Sequence, residues 1–172
     1  MTETVGLQNI EFRLDYEPHF GVVQEMAEWM VPQIERAILD FVDHSELPQG
    51  VDINSLIEGT KEAMASCTYL RAGGELWIGH LDQQVLVYVI ASVTKDIDNK
   101  LTYHISQAWV RKDFRGNKIV KEWWNKLRKR AKALMCNHLM ITSTRGIDSY
   151  CRFLGNGLHL YAHLLKEELK GD

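Results

Sequence analysis

The sequence predicts an α+β fold, a mixed sheet with helices on both of its faces, and three observations carry that expectation. Residues 69–110 switch to a period-two alternation of apolar side chains, amphipathic stretches with helical spacing flank that block, and two further apolar runs separated by a short helical segment follow it. At 172 residues the chain suits one domain spanning 1–172, long enough to bury a full core.

Each element has its own local reason. Residues 10–14, Ile-Glu-Phe-Arg-Leu, alternate as a first strand does. Val22, Met26, Trp29 or Met30, Ile34, Ala37, Ile38 and Phe41 then recur at helical spacing, with Pro32 expected to kink that helix or to begin a new one, because it has no N–H to donate. Asp52 or Asn54 is a suitable cap for a further helix carrying Leu56, Ile57 and Met64, in which Gly59 is a weak point. Residues 75–80 and 85–93 flank a turn at 81–84, and a second turn at 96–99 leads into 101–110, which together describe a three-strand antiparallel meander. Ile119, Val120, Trp123, Trp124, Leu127, Ala131, Leu134 and Met135 form one apolar stripe along a long helix whose other face is basic. Residues 138–143 read as a buried strand and 147–154 as a short helix stopped by Gly155-Asn156-Gly157. Residues 158–165 read as a last strand.

Composition narrows the class. The chain is 45% hydrophobic and 25% charged with no low-complexity segment, as expected of an ordinary globular protein. No apolar run approaches the roughly 20 residues of a membrane-spanning helix, and the first residues lack the basic flank and apolar core of a secretion signal. The expected location is the cytoplasm, with no membrane partner. Cys67, Cys136 and Cys151 are odd in number and lack the close pairing of zinc or redox motifs, so they are expected to be reduced thiols, two or three of them buried. Charge is unevenly placed under the net −3: residues 1–62 hold 13 acidic side chains against Arg13, Arg36 and Lys61, whereas residues 111–132 hold 10 basic ones against Asp113 and Glu122. An anionic ligand therefore has one obvious destination.

That destination begins where a strand ends, the chain turns and the long helix starts, in residues 108–120 (Ala-Trp-Val-Arg-Lys-Asp-Phe-Arg-Gly-Asn-Lys-Ile-Val). The segment resembles the acyl-CoA loop of the GNAT superfamily of N-acyltransferases, in which an apolar strand end is followed five residues later by an Arg-x-x-Gly-x-Gly turn; Val110 and Arg115 have that spacing. The unpaired N–H groups and dipole of a helix start favour an anion there. The resemblance continues through residues 139–143 and 150–158 and covers roughly residues 69–166 by element order. It implies a GNAT-like sheet with a central parallel strand pair, the strand ending at Val110 beside the one at 139–143. It also implies acetyl-CoA or another acyl-CoA as co-substrate and an amine acceptor, with no metal. Ala108, Trp109 and Val110 would face pantetheine, and Arg115, Gly116, Asn117, Lys118, Ile119 and Val120 the pyrophosphate.

Four positions depart from or qualify the pattern. Lys118 and Val120 stand where the family has its two glycines, so added side chains meet the phosphate path while Lys118 adds charge. Phe153 stands where many members have the tyrosine that protonates the departing thiolate, and Tyr150, three residues earlier, is the substitute acid. His104 stands six residues before Val110, where histone-type members carry a general-base glutamate, and imidazole suits that task; by simple alternation it would share a face with Ser106, Ala108 and Val110.

The implied activity is acyl transfer to a primary amine with His104 as base and Tyr150 as acid. The alternative is a GNAT-fold protein that has lost catalysis and serves as a binding or structural component, as degenerate members among phage proteins do, and the changes at Lys118, Val120 and Phe153 suit it. Blander readings stand beside these. His104 and Tyr150 also suit hydrogen-bonded structural roles, Trp123 and Trp124 suit the core, and His159 with His163 makes two ligands without a third. The basic face of 111–132 is by default a solvated helix face, and no nucleic-acid motif accompanies it.

Overall fold

The structure, a computed structural model, describes residues 18–44, 52–68, 74–95 and 97–142. The expected strand at 10–14, helix at 147–154 and strand at 158–165 lie outside the described residues, as do Tyr150, Cys151, Phe153, His159 and His163. Strands β1 (His19–Val22), β2 (Gly74–Leu81), β3 (Gln84–Lys95), β4 (Leu101–Val110) and β5 (His138–Ile141) form one sheet in the order β1-β2-β3-β4-β5. The first four are antiparallel neighbours, and β5 runs parallel to β4. Helices α1 (Val31–His44) and α2 (Ile53–Thr68) lie on one face, and α3 (Lys118–Ala133) lies on the other.

The turn from β2 to β3 places both Asp82 (φ 48°) and Gln83 (φ 57°) in the left-handed region, which matches the twist of the strands it joins. Gln33 of α1 fastens this hairpin: its Nε2 donates to the Gln83 carbonyl at 2.7 Å and its Oε1 accepts from the Val85 N–H at 2.8 Å. Met30, Ile34, Ala37 and Ile38 from the α1 segment and Met64 from α2 pack on Leu76, Ile78, Tyr88 and Trp109. On the opposite face Trp123, Leu127 and Ala131 of α3 meet Phe20, Trp77, Val87, Tyr103, Ile105 and Phe114. The helical spacing read in α3 thus predicts its buried face correctly.

Three local expectations need correction. Val22 does not begin a helix; residues 19–22 pair with β2 from His19↔His80 to Val22↔Trp77, because the open edge of β2 gives Phe20 a buried seat against Trp77 and Trp123, each 5.1 Å away between ring centres. The helix starts at Val31 with Pro32 in its first turn, where a missing N–H costs nothing. Met135 leaves the α3 stripe altogether. The helix ends at Ala133, Met135 adopts φ 58° and is 79% exposed, and N–H groups of Met135 and Cys136 close onto the carbonyls of Lys132 and Ala131 at 3.0 Å each. That pair of bonds is the Schellman closure. Trp124 is half-buried rather than fully in the core, with the Arg128 guanidinium 5.7 Å over its ring. Cys136 is a partly buried free thiol, and burial pushes its pKa up. Among the described residues no helix is long and apolar enough to cross a membrane, and no three His, Cys, Asp or Glu side chains gather as a metal site.

Candidate functional site

Among the described residues the pairing of β4 changes at its middle. β5 pairs with β4 from Thr102↔His138 to Ile105↔Ile141, and the Thr142 N–H adds one more bond to the Ile105 carbonyl at 3.0 Å. Among the described residues the rest of β4, on to Val110, pairs with β3 alone. The β3–β4 register also breaks here, passing from Ile90↔Gln107 directly to Ala91↔Ile105. Ser106 is the extra residue of a bulge, exposed, its hydroxyl donating to the Ile90 carbonyl at 3.3 Å.

The bulge overturns the expected phase of His104. Tyr103 and Ile105 lie in the cluster under α3, so His104 between them faces α1 and α2. Past Ser106 the alternation restarts: Gln107 reaches Thr60 of α2 and Tyr88, Trp109 lies in the α1–α2 cluster, and Ala108 and Val110 pack under α3. His104 therefore shares a face with Gln107 and Trp109, not with Ala108 and Val110. Its Nε2 stands 2.7 Å from Thr142 Oγ1. Its cross-strand neighbours are Ser92 and Met140, neither of which titrates, and burial lowers the pKa of the imidazole below its ordinary value. Near neutral pH the ring is uncharged and able to accept a proton.

At the end of β4 the predicted loop residues come together, in roles that differ from the simple expectation. Trp109 stacks on Tyr88 with ring centres 5.8 Å apart and donates its Nε1 to Asp40 Oδ2 at 2.6 Å. Arg115 turns back toward α1. Its Nε donates to the Val110 carbonyl at 2.9 Å and its Nη2 to Asp40 Oδ2 at 3.4 Å, so it ties the loop to β4 and α1. Gly116 takes φ 81°, a left-handed turn into α3 that glycine makes without strain, and a Cβ there would meet nothing within 4 Å.

Asn117 caps α3: its side chain accepts from the Ile119 N–H at 3.1 Å while its carbonyl accepts from Val120 N–H at 3.0 Å. Lys118 is exposed in the first turn, and Ile119 and Val120 pack partly under the helix. The helix start thus has two of its N–H groups already engaged by one residue.

Sequence reasoning passed over Asp40 and Thr142. Asp40 carried one signal, an acidic residue within the apolar spacing of α1; Thr142 carried none, since its meaning arises only when β5 lies beside β4. A second polar cluster, also unforeseen, lies under the last turns of α3. Tyr103 donates to Glu75 Oε2 at 2.6 Å, Trp77 Nε1 donates to Tyr103 Oη at 2.9 Å, and Arg130 Nε donates to Glu75 Oε1 at 2.8 Å. Burial alone would raise the Glu75 pKa, but the bonds from Arg130 and Tyr103 outweigh it and hold the carboxyl below its usual range. Burial and then Glu75 push the Tyr103 phenol up, so it stays protonated as a donor. This cluster pins the far end of α3 to β2.

No family model and no curated protein matches the sequence. Solved structures do resemble it. A transcriptional regulator from Bacillus halodurans superposes with a TM-score of 0.61 at 15% identity, over 89% of this chain and 100% of that one. A GNAT family acetyltransferase from Staphylococcus aureus gives 0.61 at 12% identity over 88% and 98%. An aminoglycoside N-acetyltransferase in complex with CoA gives 0.59 at 11% over 89% and 97%. At these identities the likeness is one of fold.

Proposed function

We propose, from the premise that this chain is a divergent protein of the GNAT fold, that it transfers an acyl group from acyl-CoA to a primary amine in the cytoplasm. The observation that carries the reading is the turn from β4 into α3, where Gly116 enters the helix start left-handed beside the exposed Lys118, with a histidine that burial keeps neutral on the strand that leads into it. The fold neighbour solved with CoA supports the choice of co-substrate.

The residues present fit an acyl-CoA. Residues 108–110 of β4, which among the described residues pair with β3 alone, have the extended form that suits a pantetheine arm. At the loop, the Asn117 amide oxygen rests on the Ile119 N–H as a phosphate oxygen would, and rotating it away exposes that donor beside Lys118. Acyl-CoA supplies an activated thioester carbonyl. His104 takes a proton from the acceptor ammonium, the freed amine forms the new C–N bond, the C–S bond breaks, the leaving thiolate takes a proton from Tyr150 or water, and the nitrogen gives its second proton back to that donor through solvent, leaving the neutral amide. Backbone N–H groups of β4 are the donors for the developing oxyanion.

A second reading is favoured by two contacts. Arg115 is committed to Val110 and Asp40, and Asn117 already occupies the helix start, as suits a GNAT-fold protein that binds or assembles without catalysis. Calorimetric titration with acetyl-CoA and with CoA, followed by a thiol-release assay over a panel of primary amines, separates the two. Binding with thiol release supports transfer. Failure to bind either ligand removes it and leaves the second reading.

A further inference from the structure

The pairing of β4 with β5 brings together two side chains that are 38 residues apart, His104 and Thr142. Thr142 is anchored on its own account. Its N–H bonds to the Ile105 carbonyl at 3.0 Å, so its position follows the strand and not the hydroxyl. Its Oγ1 stands 2.7 Å from Nε2 of His104, a good hydrogen-bond length, and among the described residues no other side chain bonds to this imidazole. In a neutral histidine one ring nitrogen donates and the other accepts, and the bond made by one decides the state of the other.

We propose that Thr142 is the positioning residue of His104: its hydroxyl oxygen accepts from Nε2–H and thereby fixes the imidazole as the tautomer whose bare Nδ1 serves as the proton acceptor. This rests on the reading of His104 as the base in acyl transfer and adds to it the residue that aims the ring. When Nδ1 takes a proton from the acceptor ammonium, the ring becomes a cation. The bond from Nε2–H to Thr142 then turns charge-assisted and strengthens. The threonine thus favours the protonated product of the transfer step without itself gaining or losing a proton.

The groups that face His104 do not compete for this role. Across β3 stands Ser92 and across β5 stands Met140, and burial is the cause that lowers its pKa. Among the described residues no carboxylate contributes to that shift.

Three variants and two readouts test the idea. Thr142→Val keeps the shape of the side chain and removes the acceptor oxygen. Thr142→Ser keeps the oxygen, and His104→Ala identifies the resonances. In the whole chain labelled at histidine, nitrogen chemical shifts should show His104 with its proton on Nε2. That preference should vanish in Thr142→Val and return in Thr142→Ser. The His104 pKa should fall by roughly half a unit further in Thr142→Val, because the cation loses more than the neutral ring does. In the acyl-transfer assay kcat should fall about tenfold in Thr142→Val, with little change in the KM for acetyl-CoA.

An unchanged tautomer and pKa in a folded Thr142→Val overturn the proposal, as does an acyl adduct on Thr142 found by mass spectrometry, which would make it a nucleophile instead. A wild type that shows the tautomer shift and yet turns over no amine overturns the acyl-transfer reading and leaves the positioning of His104 intact.

Discussion

Gly79 is a close-approach glycine, and replacing it by alanine tests how tightly α3 sits on the sheet. A Cβ at this position would lie 2.4 Å from Cγ1 of Val87, its cross-strand partner, and 3.1 and 3.2 Å from two ring carbons of Trp123. Neither neighbour can yield easily. Val87 is β-branched and 3% exposed, and Trp123 is 3% exposed between the rings of Phe20 and Phe114 at 5.1 and 5.6 Å. Overpacking of this kind costs about 1–3 kcal/mol, and the shortness of the first contact puts Gly79→Ala toward the upper end. For a domain of this size that lowers Tm by roughly 5–10 °C, read by calorimetry at fixed pH. Val87→Ala alone should cost about 2 kcal/mol by leaving a cavity. In the double variant the new methyl enters the space that Cγ1 vacated, so the combined loss should fall short of the sum by about 1 kcal/mol or more. Strict additivity, or a Gly79→Ala protein as stable as wild type, would refute the close packing of α3 on β2.

If His104 is the base, turnover at limiting acceptor should rise with pH through an apparent pKa below the ordinary histidine value of 6.5, since only the neutral ring accepts a proton. His104→Ala should flatten that limb and lower turnover by about 10² to 10⁴, measured by thiol release. Asn117→Ala removes the side-chain cap of α3 and should cost about 1 kcal/mol in chemical denaturation, while calorimetry should find acetyl-CoA affinity kept or raised because Ile119 N–H is released. Glu75 has a folded pKa below the usual carboxylate value of 4.5, so its ionised form stabilises the fold above that pH and the contribution is lost as pH falls through the folded value. Glu75→Gln should therefore be less stable than wild type at neutral pH, with the difference shrinking on acidification in parallel Tm scans.

What the sequence disclosed and what it withheld divide along physical lines. The meander was legible because β2, β3 and β4 are long enough for period-two alternation to show, and α3 because Trp123, Leu127 and Ala131 repeat over several turns. β1 was not, since four residues carry no period and only the edge of β2 decides their state. The loop spacing from Val110 to Arg115 was legible as a pattern, yet the partner of Arg115 lies 75 residues away on α1, a distance no local rule spans. The face of His104 was misjudged because alternation assumes an unbroken ladder, and nothing about a serine at 106 announces an extra residue.

That extra residue divides β4 into two frames. Among the described residues the upstream frame, Leu101 to Ile105, is held by β5 on one side and β3 on the other, and the downstream frame, Gln107 to Val110, is held by β3 alone. Deleting Ser106 would force one frame to invert, turning either His104 under α3 or Trp109 away from Asp40. Substitutions preserve the frames and single-residue deletions do not, so this strand can change its chemistry freely by exchange of side chains but tolerates almost no change of length. Length variation is instead expected in the turn between β3 and β4, at Asp98 and Asn99, where Asn99 at φ 58° lies outside both strands.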